Sequence, residues 1–284
     1  MQPVLCTNLY GQKVWVSQTS AGAFRRHGGF DVPTLALIEY LASCFPQAVA
    51  FDIGANIGNH TVVLGKFCKQ VVAFEPRLAI EEYLRENVVQ NGLTNCELVA
   101  AGLSDSEGTA KLFLSASAEG GTSTFVRELS DAAGGDVEVP IQIGDHFVER
   151  VKLAQLDIVK LDVEGMEATV VLGLSATIAK FAPVFLMEWN NDVTRNTFAK
   201  HKLFTTVFVD YVCVGARDPS ARELFPKTLG GKINQKIARL QNKKDFVLVP
   251  FAEAENFETL LLVPRTKVVK IPRLARFFGS AAER

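Results

Sequence analysis

The feature that most constrains the fold is a short apolar run that ends in a glycine-containing turn. Residues 48–53 read A-V-A-F-D-I, and residues 54–58, G-A-N-I-G, lead into an apolar stretch typical of a helix. A strand that turns through glycines into a helix is the first unit of a doubly wound α/β sheet, in which ligands bind at the carboxyl ends of the strands. The sequence therefore predicts a ligand site directly after residue 53.

The same alternation of strand and helix continues along the chain. Further apolar runs occupy residues 71–74, 97–101, 157–161 and 184–187. Short strands that do not alternate with polar residues, separated by helices, indicate a mostly parallel sheet covered on both faces. Later apolar runs at 205–214 and 259–263 are expected to supply an antiparallel edge strand. We therefore predict a doubly wound α/β fold.

The 284 residues are predicted to form one large domain with additions at both ends. Residues 1–46 contain two strand-like runs and a helix, and we interpret them as a small N-terminal cap of the same domain. Residues 47–264 form the α/β domain, and residues 265–284 form a basic, amphipathic C-terminal tail. A formal net charge of −1 argues against a nucleic-acid partner.

The location is predicted from cysteines and from the two ends of the sequence. Five scattered cysteines without a C-x-x-C pair suggest free thiols in a reducing compartment, and no signal-peptide pattern precedes them. We expect a cytoplasmic protein. The tail could contact the inner face of a membrane peripherally, but we favour a terminal helix packed on the domain. The sequence gives no prediction of oligomeric state.

Two carboxylates end the first two strands and indicate a nucleoside cofactor. Asp52 closes the first strand, where it suits the amino group of a methionine moiety. Glu75 closes the second, where a carboxylate can accept hydrogen bonds from ribose hydroxyls. Gly54 and Gly58 would let the backbone approach the ligand, with Asn56 between them.

The loop separates two cofactor classes. A dinucleotide fingerprint, G-x-G-x-x-G, requires glycine where this chain has Asn56 and Asn59. In addition, Asp52 would place a negative charge beside a pyrophosphate, whereas it suits a zwitterionic methionine tail beside a sulfonium. The sequence therefore predicts S-adenosylmethionine as the cofactor, with an NAD-dependent α/β oxidoreductase as the alternative.

These residues resemble the FkbM family of methyltransferases. The matching pieces are F-D-I-G-A-N-I-G at 51–58, A-F-E-P at 73–76, A-A-G-L-S-D at 100–105, G-G-T-S-T at 120–124 and K-L-D-V-E-G-M-E at 160–167. The resemblance implies a class I methyltransferase-like fold and O-methylation of a hydroxyl group on a sugar, glycan or glycosylated natural product. It also adds Pro76, Ser104 and Asp105 to the expected cofactor contacts.

Transfer of a methyl group to an alcohol needs a group that removes the hydroxyl proton. Asp162 and Glu164 follow the fourth strand, and His60 lies in the first turn of the helix after the glycine loop. We predict that these three side chains surround the acceptor. Glu167 is expected to be a favourable charge at a helix N-terminus.

The acidic residues near the strand ends could instead form a metal site. Asp162, Glu164 and Glu188 offer the oxygen ligands that a divalent cation prefers, but we do not expect a required metal. A non-catalytic adapter that only binds the cofactor is a further alternative. Residues 120–124 could form a loop that closes over the cofactor or acceptor.

Overall fold

The computed structural model of the chain describes residues 3–115, 123–130, 134–221, 224, 232, 234–235 and 245–278.

The strands in the described residues are β1 (Pro3–Thr7), β2 (Lys13–Ser17), β3 (Val49–Ile53), β4 (Gln70–Phe74), β5 (Cys96–Val99), β6 (Gly102–Ser104), β7 (Gly108–Phe113), β8 (Asp136–Ile143), β9 (Ile158–Leu161), β10 (Val184–Trp189), β11 (Tyr211–Arg217), β12 (Val247–Pro250) and β13 (Phe257–Pro264). The α-helices are α1 (Gln18–His27), α2 (Val32–Cys44), α3 (Asn59–Phe67), α4 (Leu78–Gln90), α5 (Gly144–Arg150), α6 (Glu167–Gly173), α7 (Ser175–Phe181), α8 (Asp192–His201), α9 (Leu203–Thr206) and α10 (Ala275–Phe278). Short 3-10 helices span Arg127–Leu129, Arg265–Lys270 and Pro272–Leu274.

The central sheet has the strand order β12-β11-β13-β10-β9-β3-β4-β5. Strands β10, β9, β3, β4 and β5 are parallel to their neighbours within this group. All five residues of β3 are buried, which explains why the strand is apolar apart from Asp52. The chain runs from β3 outwards to β4 and β5, and later crosses to β9 on the other side of β3. The strand order therefore reverses between β3 and β9, where such sheets have their binding crevice.

The reversed strand was predicted at the wrong place. Strand β13 runs antiparallel to both β10 and β11, so it lies inside the sheet and β11 points the same way as β10. The antiparallel edge is β12, which pairs only with β11. The predicted strand over 205–214 begins only at Tyr211, because Leu203–Thr206 form a helix. Strand β13 has seven of its eight residues buried, as its inside position requires.

The N-terminal cap packs on one face of this sheet. It consists of the β1–β2 hairpin followed by α1 and α2. Phe24 and Leu35 of the cap belong to the same buried apolar cluster as Ala50 and Ile158 of the sheet. A second cluster, which includes Phe51 and the apolar side chains of α6, covers the other face. A separate small sheet, β6-β8-β7, follows β5.

The C-terminal tail also packs on the domain. Val268, Ile271 and Leu274 are buried in the same cluster as the cap, whereas Val269 is exposed. The apolar side chains on which a membrane contact would depend are thus largely committed to the core. Among the described residues, no helix has the length and apolar character needed to cross a membrane.

Candidate active site

A cavity of about 380 Å³ lies in the crevice between β3 and β9. Its wall includes the glycine loop after β3, the residues that follow β4 and the residues that follow β9. The N-terminal cap closes one side with Ser20, Phe30 and Asp31. The sheet therefore places the cavity where the sequence predicts a ligand site, and the cap adds a wall that sequence reasoning did not assign.

The glycine loop passes against the end of β9 at very short range. Gly54 has a φ of +80°, and a Cβ atom there would lie 1.8 Å from the carbonyl oxygen of Asp162. Gly58 has a φ of +91°. Asn56, with a φ of +52°, adopts the left-handed region that asparagine tolerates, and its side chain accepts a hydrogen bond from the Ile57 N–H. All three residues are thus required by the path of the loop.

Glu75 joins this loop to the segment after β4. Its Oε2 accepts the Asn56 N–H at 3.0 Å, and its Oε1 accepts the N–H and the Nε–H of Arg77 at 3.1 and 3.0 Å. A carboxylate offers about four acceptor positions, so these contacts leave one for a ligand. Glu75 lines the cavity as predicted, but it cannot accept from both ribose hydroxyls while Arg77 stays in place.

Asp52 does not line the cavity. Its side chain is fully buried; Oδ2 accepts a hydrogen bond from the Thr61 hydroxyl at 2.6 Å, and Oδ1 has no hydrogen-bond partner among the described residues. The charge of Asp52 raises the pKa of nearby Lys160. The side chain of Asp52 therefore lies behind the residues that line the cavity, and its contact with a methionine amino group stays a prediction.

The remaining predicted cofactor residues divide into two groups. Pro76 lines the cavity next to Phe125, and a Cβ atom at Gly102 would lie within 4 Å of both side chains. Ser104 is buried away from the cavity, with its carbonyl group packed against Gly173 of α6. The hydroxyl of Ser104 lies 3.4 Å from the carboxylate of the adjacent Asp105. The structure therefore brings Pro76 to the site but neither Ser104 nor Asp105.

Lys160 and Asp162 form an ion pair at the end of β9. The distance from Nζ to Oδ2 is 2.8 Å, and the lysine side chain is only 4% exposed whereas that of Asp162 is 29% exposed. Burial alone would lower the pKa of Lys160, but Asp162 and Asp52 raise it above the usual value. Burial would raise the pKa of Asp162, but Lys160 holds it below the usual range. Both groups are therefore charged at neutral pH.

Two further carboxylates lie beside this pair. One carboxylate oxygen from each of Asp162, Glu164 and Glu188 lies within 4.8 Å of the others. Burial, followed by the charges of Asp162 and Glu167, raises the pKa of Glu164 to about 8. Burial, followed by the charges of Asp162, Glu164 and Glu167, raises the pKa of Glu188 well above its usual value. The structure thus gathers the three predicted candidates for metal ligands at one place.

His60 and the cap residue Asp31 form a further pair of titratable side chains in the cavity wall. His60 is buried, and its Nε2 atom is 3.3 Å from Oδ2 of Asp31, at ion-pair distance but without hydrogen-bond alignment. Asp31 has a φ of +47° and begins α2 without capping it through its side chain. Both residues line the cavity.

Glu167 has the structural role that the sequence suggests. It is fully buried and accepts hydrogen bonds from the backbone N–H groups of Val163 and Gly165 and from the Thr194 hydroxyl. It therefore fixes the loop that carries Glu164. Of the predicted closing loop, residues 120–122 lie outside the described residues. Ser123 accepts a hydrogen bond from Arg77, and the Thr124 hydroxyl donates to the Glu164 carbonyl.

Comparison with known proteins decides the family. The methyltransferase FkbM domain matches residues 52–209, which is more than half of the chain and contains the glycine loop and the segment after β9. The chain belongs to the FkbM methyltransferase family. It is 32% identical over 127 residues to the hexuronic acid methyltransferase AglP of Haloferax volcanii, a match that covers 45% of this chain. The matched part spans half of the length of AglP.

Solved structures show distant similarity to this FkbM methyltransferase. The methyltransferase FkbM of Methylobacillus flagellatus is 12% identical, with a TM-score of 0.46, covering 87% of this chain and 55% of that one. The O-methyltransferase TomG of Streptomyces achromogenes, solved with S-adenosylmethionine, is 11% identical, with a TM-score of 0.44, covering 88% and 91%. The family match and the strand order together confirm the predicted family and its class I methyltransferase-like fold.

Several residues of this site were not among the predicted site residues. Arg77 directly follows the A-F-E-P motif and Lys160 begins the K-L-D-V-E-G motif, so their positions in the sequence could have found them. Phe30, Asp31 and Phe125 come from outside those motifs. Only the folding of the cap and of the segment after β7 onto the crevice brings them to the cavity.

Proposed function

We propose that this protein is an O-methyltransferase that transfers the methyl group of S-adenosylmethionine to a hydroxyl group of a sugar, glycan or glycosylated natural product. This proposal rests on the cavity at the switch point of the sheet. Glu75, a carboxylate suited to bind ribose hydroxyls, lies at one end of the cavity, and a group of carboxylates lies at the other. The family match supports methyl transfer. The similarity to AglP, a hexuronic acid methyltransferase, supports a sugar acceptor.

The cavity walls fit the adenosine part of this cofactor. Glu75 retains one acceptor position for a ribose hydroxyl, as its three hydrogen bonds imply. Pro76 and Phe125 form a neighbouring apolar wall, which suits the flat face of an adenine, since bases stack on aromatic and apolar side chains. This fit gives Phe125 a role that no predicted residue had.

The loop N–H groups disfavour the dinucleotide alternative. A pyrophosphate binds to free backbone N–H groups at such a turn. Here the N–H groups of Gly54 and Ala55 donate to the Phe74 carbonyl, and those of Asn56 and Ile57 donate to side-chain oxygens. The Gly58 N–H donates to the Ala55 carbonyl. No loop N–H in this stretch is left for a phosphate.

The carboxylates and the histidine supply the acid–base chemistry. S-adenosylmethionine supplies a methyl group on a sulfonium, and its transfer to an alcohol releases one proton. Glu164, with a pKa of about 8, is suited to accept that proton near neutral pH. Asp162 is held ionised by Lys160 and can orient the acceptor hydroxyl as a hydrogen-bond acceptor. His60 lines the same end of the cavity and is a second candidate base.

Calorimetry and product analysis test this function together. S-adenosylmethionine and S-adenosylhomocysteine should bind to the full chain, whereas NAD and NADH should not. Incubation with a panel of hydroxylated glycans should release S-adenosylhomocysteine and give a product heavier by one CH2 group. Tight cofactor binding without any release would favour the non-catalytic adapter instead.

A further inference from the structure

A second cavity, of about 450 Å³, adjoins the first one; we call it the outer chamber. The two cavities share the wall residues Phe30, Asp31 and Asp162. The outer chamber therefore reaches the carboxylates at the end of β9 from the side away from Glu75. An acceptor that approaches Asp162 and Glu164 would occupy this space, because the proposed adenosine end lies at the opposite end of the first cavity.

The outer chamber is strongly acidic. Among its described wall residues, His27 is the only basic one, and the carboxylates are Asp31, Asp162, Glu188, Asp218 and Glu258. Asp31, Asp218 and Glu258 lie outside the family match over 52–209. The charge of the chamber is therefore set mainly by segments that the common family region does not include. Such segments are where the choice of acceptor is expected to be encoded.

These carboxylates have few cations to balance them. The basic groups close to them are shared with other carboxylates, since Lys160 pairs with Asp162 and Arg217 pairs with Glu255 at 3.0 Å. Burial, followed by the charges of Asp31 and Asp218, raises the pKa of Glu258 to about 7 although Arg217 opposes this shift. Oε1 of Glu188 accepts a hydrogen bond from Asn190, but its Oε2 is buried and has no hydrogen-bond partner among the described residues. Glu188 is also surrounded by the charges of Asp162, Glu164 and Glu167, so a cationic donor on a ligand would both reach this oxygen and offset those like charges.

We infer that the acceptor carries a protonated amine near the hydroxyl that is methylated, as in an amino sugar or an amino-polyol. The ammonium group binds in the outer chamber and donates to Oε2 of Glu188, while Phe30 and Pro33 pack against the carbon skeleton. A uronate carboxylate would meet like charges in the same place. This inference rests on the proposed function and refines its acceptor class.

A divalent cation is the competing occupant of the carboxylate cluster. Asp162, Glu164 and Glu188 are close enough for one ion. However, Lys160 already occupies Oδ2 of Asp162. The carboxylates of Asp218 and Glu258 also extend the negative charge along the chamber, away from those three ligands. A ligand cation at the end of a longer molecule accounts for the whole acidic wall, whereas one metal ion accounts for three residues.

The test compares three methyl glycosides of equal ring shape. Methyl glucosaminide, methyl glucoside and methyl glucuronide carry an ammonium group, no charge and a carboxylate. Their binding to the full chain saturated with S-adenosylhomocysteine is measured by saturation-transfer NMR titration at low and high salt. We expect the glucosaminide to bind about tenfold more tightly than the glucoside, on the order of one partly screened ion pair, with the glucuronide weakest. Added salt should reduce the difference.

Variants locate the effect. Asp218→Asn combined with Glu258→Gln should reduce the preference for the glucosaminide, whereas Glu97→Gln, at an exposed residue of β5 far from the chamber, should not.

Equal binding of the three glycosides, no binding of any of them, or a preference for the glucuronide would overturn the inference. So would a Mn²⁺ ion that binds tightly in electron paramagnetic resonance and is lost in Glu188→Gln. Calorimetry with S-adenosylmethionine separates these results from a failure of the proposed function, because cofactor binding does not depend on the chamber.

Discussion

Lys160 and Asp162 lie 2.8 Å apart from Nζ to Oδ2, with the ammonium group enclosed and the carboxylate facing the cavity. The pair places a fixed negative charge at the acceptor end of the site without leaving a buried charge unbalanced. Lys160 also lies near Asp52, which otherwise has a buried oxygen without a partner. One buried cation thus supports two carboxylates at the ends of neighbouring strands.

Replacing Lys160 by methionine should destabilise the protein. The change leaves Asp52 and Asp162 without their cation, and breaking such a pair costs about 3 kcal/mol. Because Lys160 lowers the pKa of Asp162, this stabilisation is present above the ordinary aspartate pKa and is lost as the pH falls through the lowered one. Urea denaturation should therefore show a large difference at pH 7 that shrinks in acid. Lys200→Met, on an exposed position of α8, is the control, and an equal effect of both changes would contradict the assignment.

The pH dependence of turnover should follow Glu164. Its pKa of about 8 means that the carboxylate is mostly protonated at pH 7 and becomes a base as the pH rises. We expect kcat to rise between about pH 7 and pH 9, and Glu164→Gln to have low turnover throughout. A wild-type rate that is flat over this range would remove Glu164 as the base.

The carboxyl group of Glu164 should also affect the free energy of unfolding, with a pH dependence opposite to that of Asp162. A raised pKa in the folded state favours folding below the ordinary glutamate pKa and loses this contribution as the pH rises through about 8. Glu164→Gln should therefore match the wild type near pH 4 and exceed its free energy of unfolding by about 1–3 kcal/mol at pH 9. Chemical denaturation at the two pH values measures this difference, and a glutamine variant that is less stable at pH 9 would refute it.

Gly54→Ala should abolish the site, and Gly11→Ala provides a matched control. Both glycines have a φ close to +80°, but a Cβ atom at Gly11 meets nothing within 4 Å. The Gly11 change should cost about 1–2 kcal/mol for the left-handed backbone alone. The Gly54 change should cost a further 1–3 kcal/mol or more, because the Asp162 carbonyl must move. Similar thermal midpoints for the two variants would show that the loop can shift.

Substitutions of Glu75 and of Asp52 should affect cofactor binding in different ways. Glu75→Ala should weaken the binding of S-adenosylmethionine by about 1–3 kcal/mol, because it removes a charged acceptor and frees the Asn56 loop. For Asp52→Asn we expect equal losses for S-adenosylmethionine and for 5′-methylthioadenosine, which lacks the amino-acid tail, because Asp52 lies below the cavity wall. A loss confined to S-adenosylmethionine in calorimetry would restore the direct contact that the sequence suggests.

The parallel half of the fold could be predicted because its signals are local. Apolar runs such as that of β3 and the turn at Gly54 define strands, helices and a switch point by themselves. The position of β13 could not be predicted in the same way. An apolar strand has the same sequence pattern at the edge of a sheet and in its interior. Only the pairing of β13 with both β10 and β11 shows that it lies in the interior.

The position of a site residue could be predicted only where the path of the backbone alone brings that residue to the crevice. Asp162 and Glu164 follow a strand that must end at the crevice, so their position followed from the topology. Asp52 also lies near the end of a strand, but side chains alternate between the faces of a sheet, and the sequence does not say which neighbours will interact with its carboxylate. In the structure, Thr61 donates a hydrogen bond to it and Lys160 interacts with its charge. The side chain of Ser104 lies away from the cavity for a related reason, because its strand belongs to the small sheet and not to the central one.

The contribution of Phe30 and Asp31 to the cavity wall bears on how the gene should be handled. A shortened version that starts at residue 47 would retain every motif of the family match and still lack the part of the cavity wall that Phe30 and Asp31 form, where we propose that the acceptor binds. If the proposed function holds, we expect that exchanging the first 46 residues between relatives, rather than deleting them, changes the acceptor while the methyl donor stays the same.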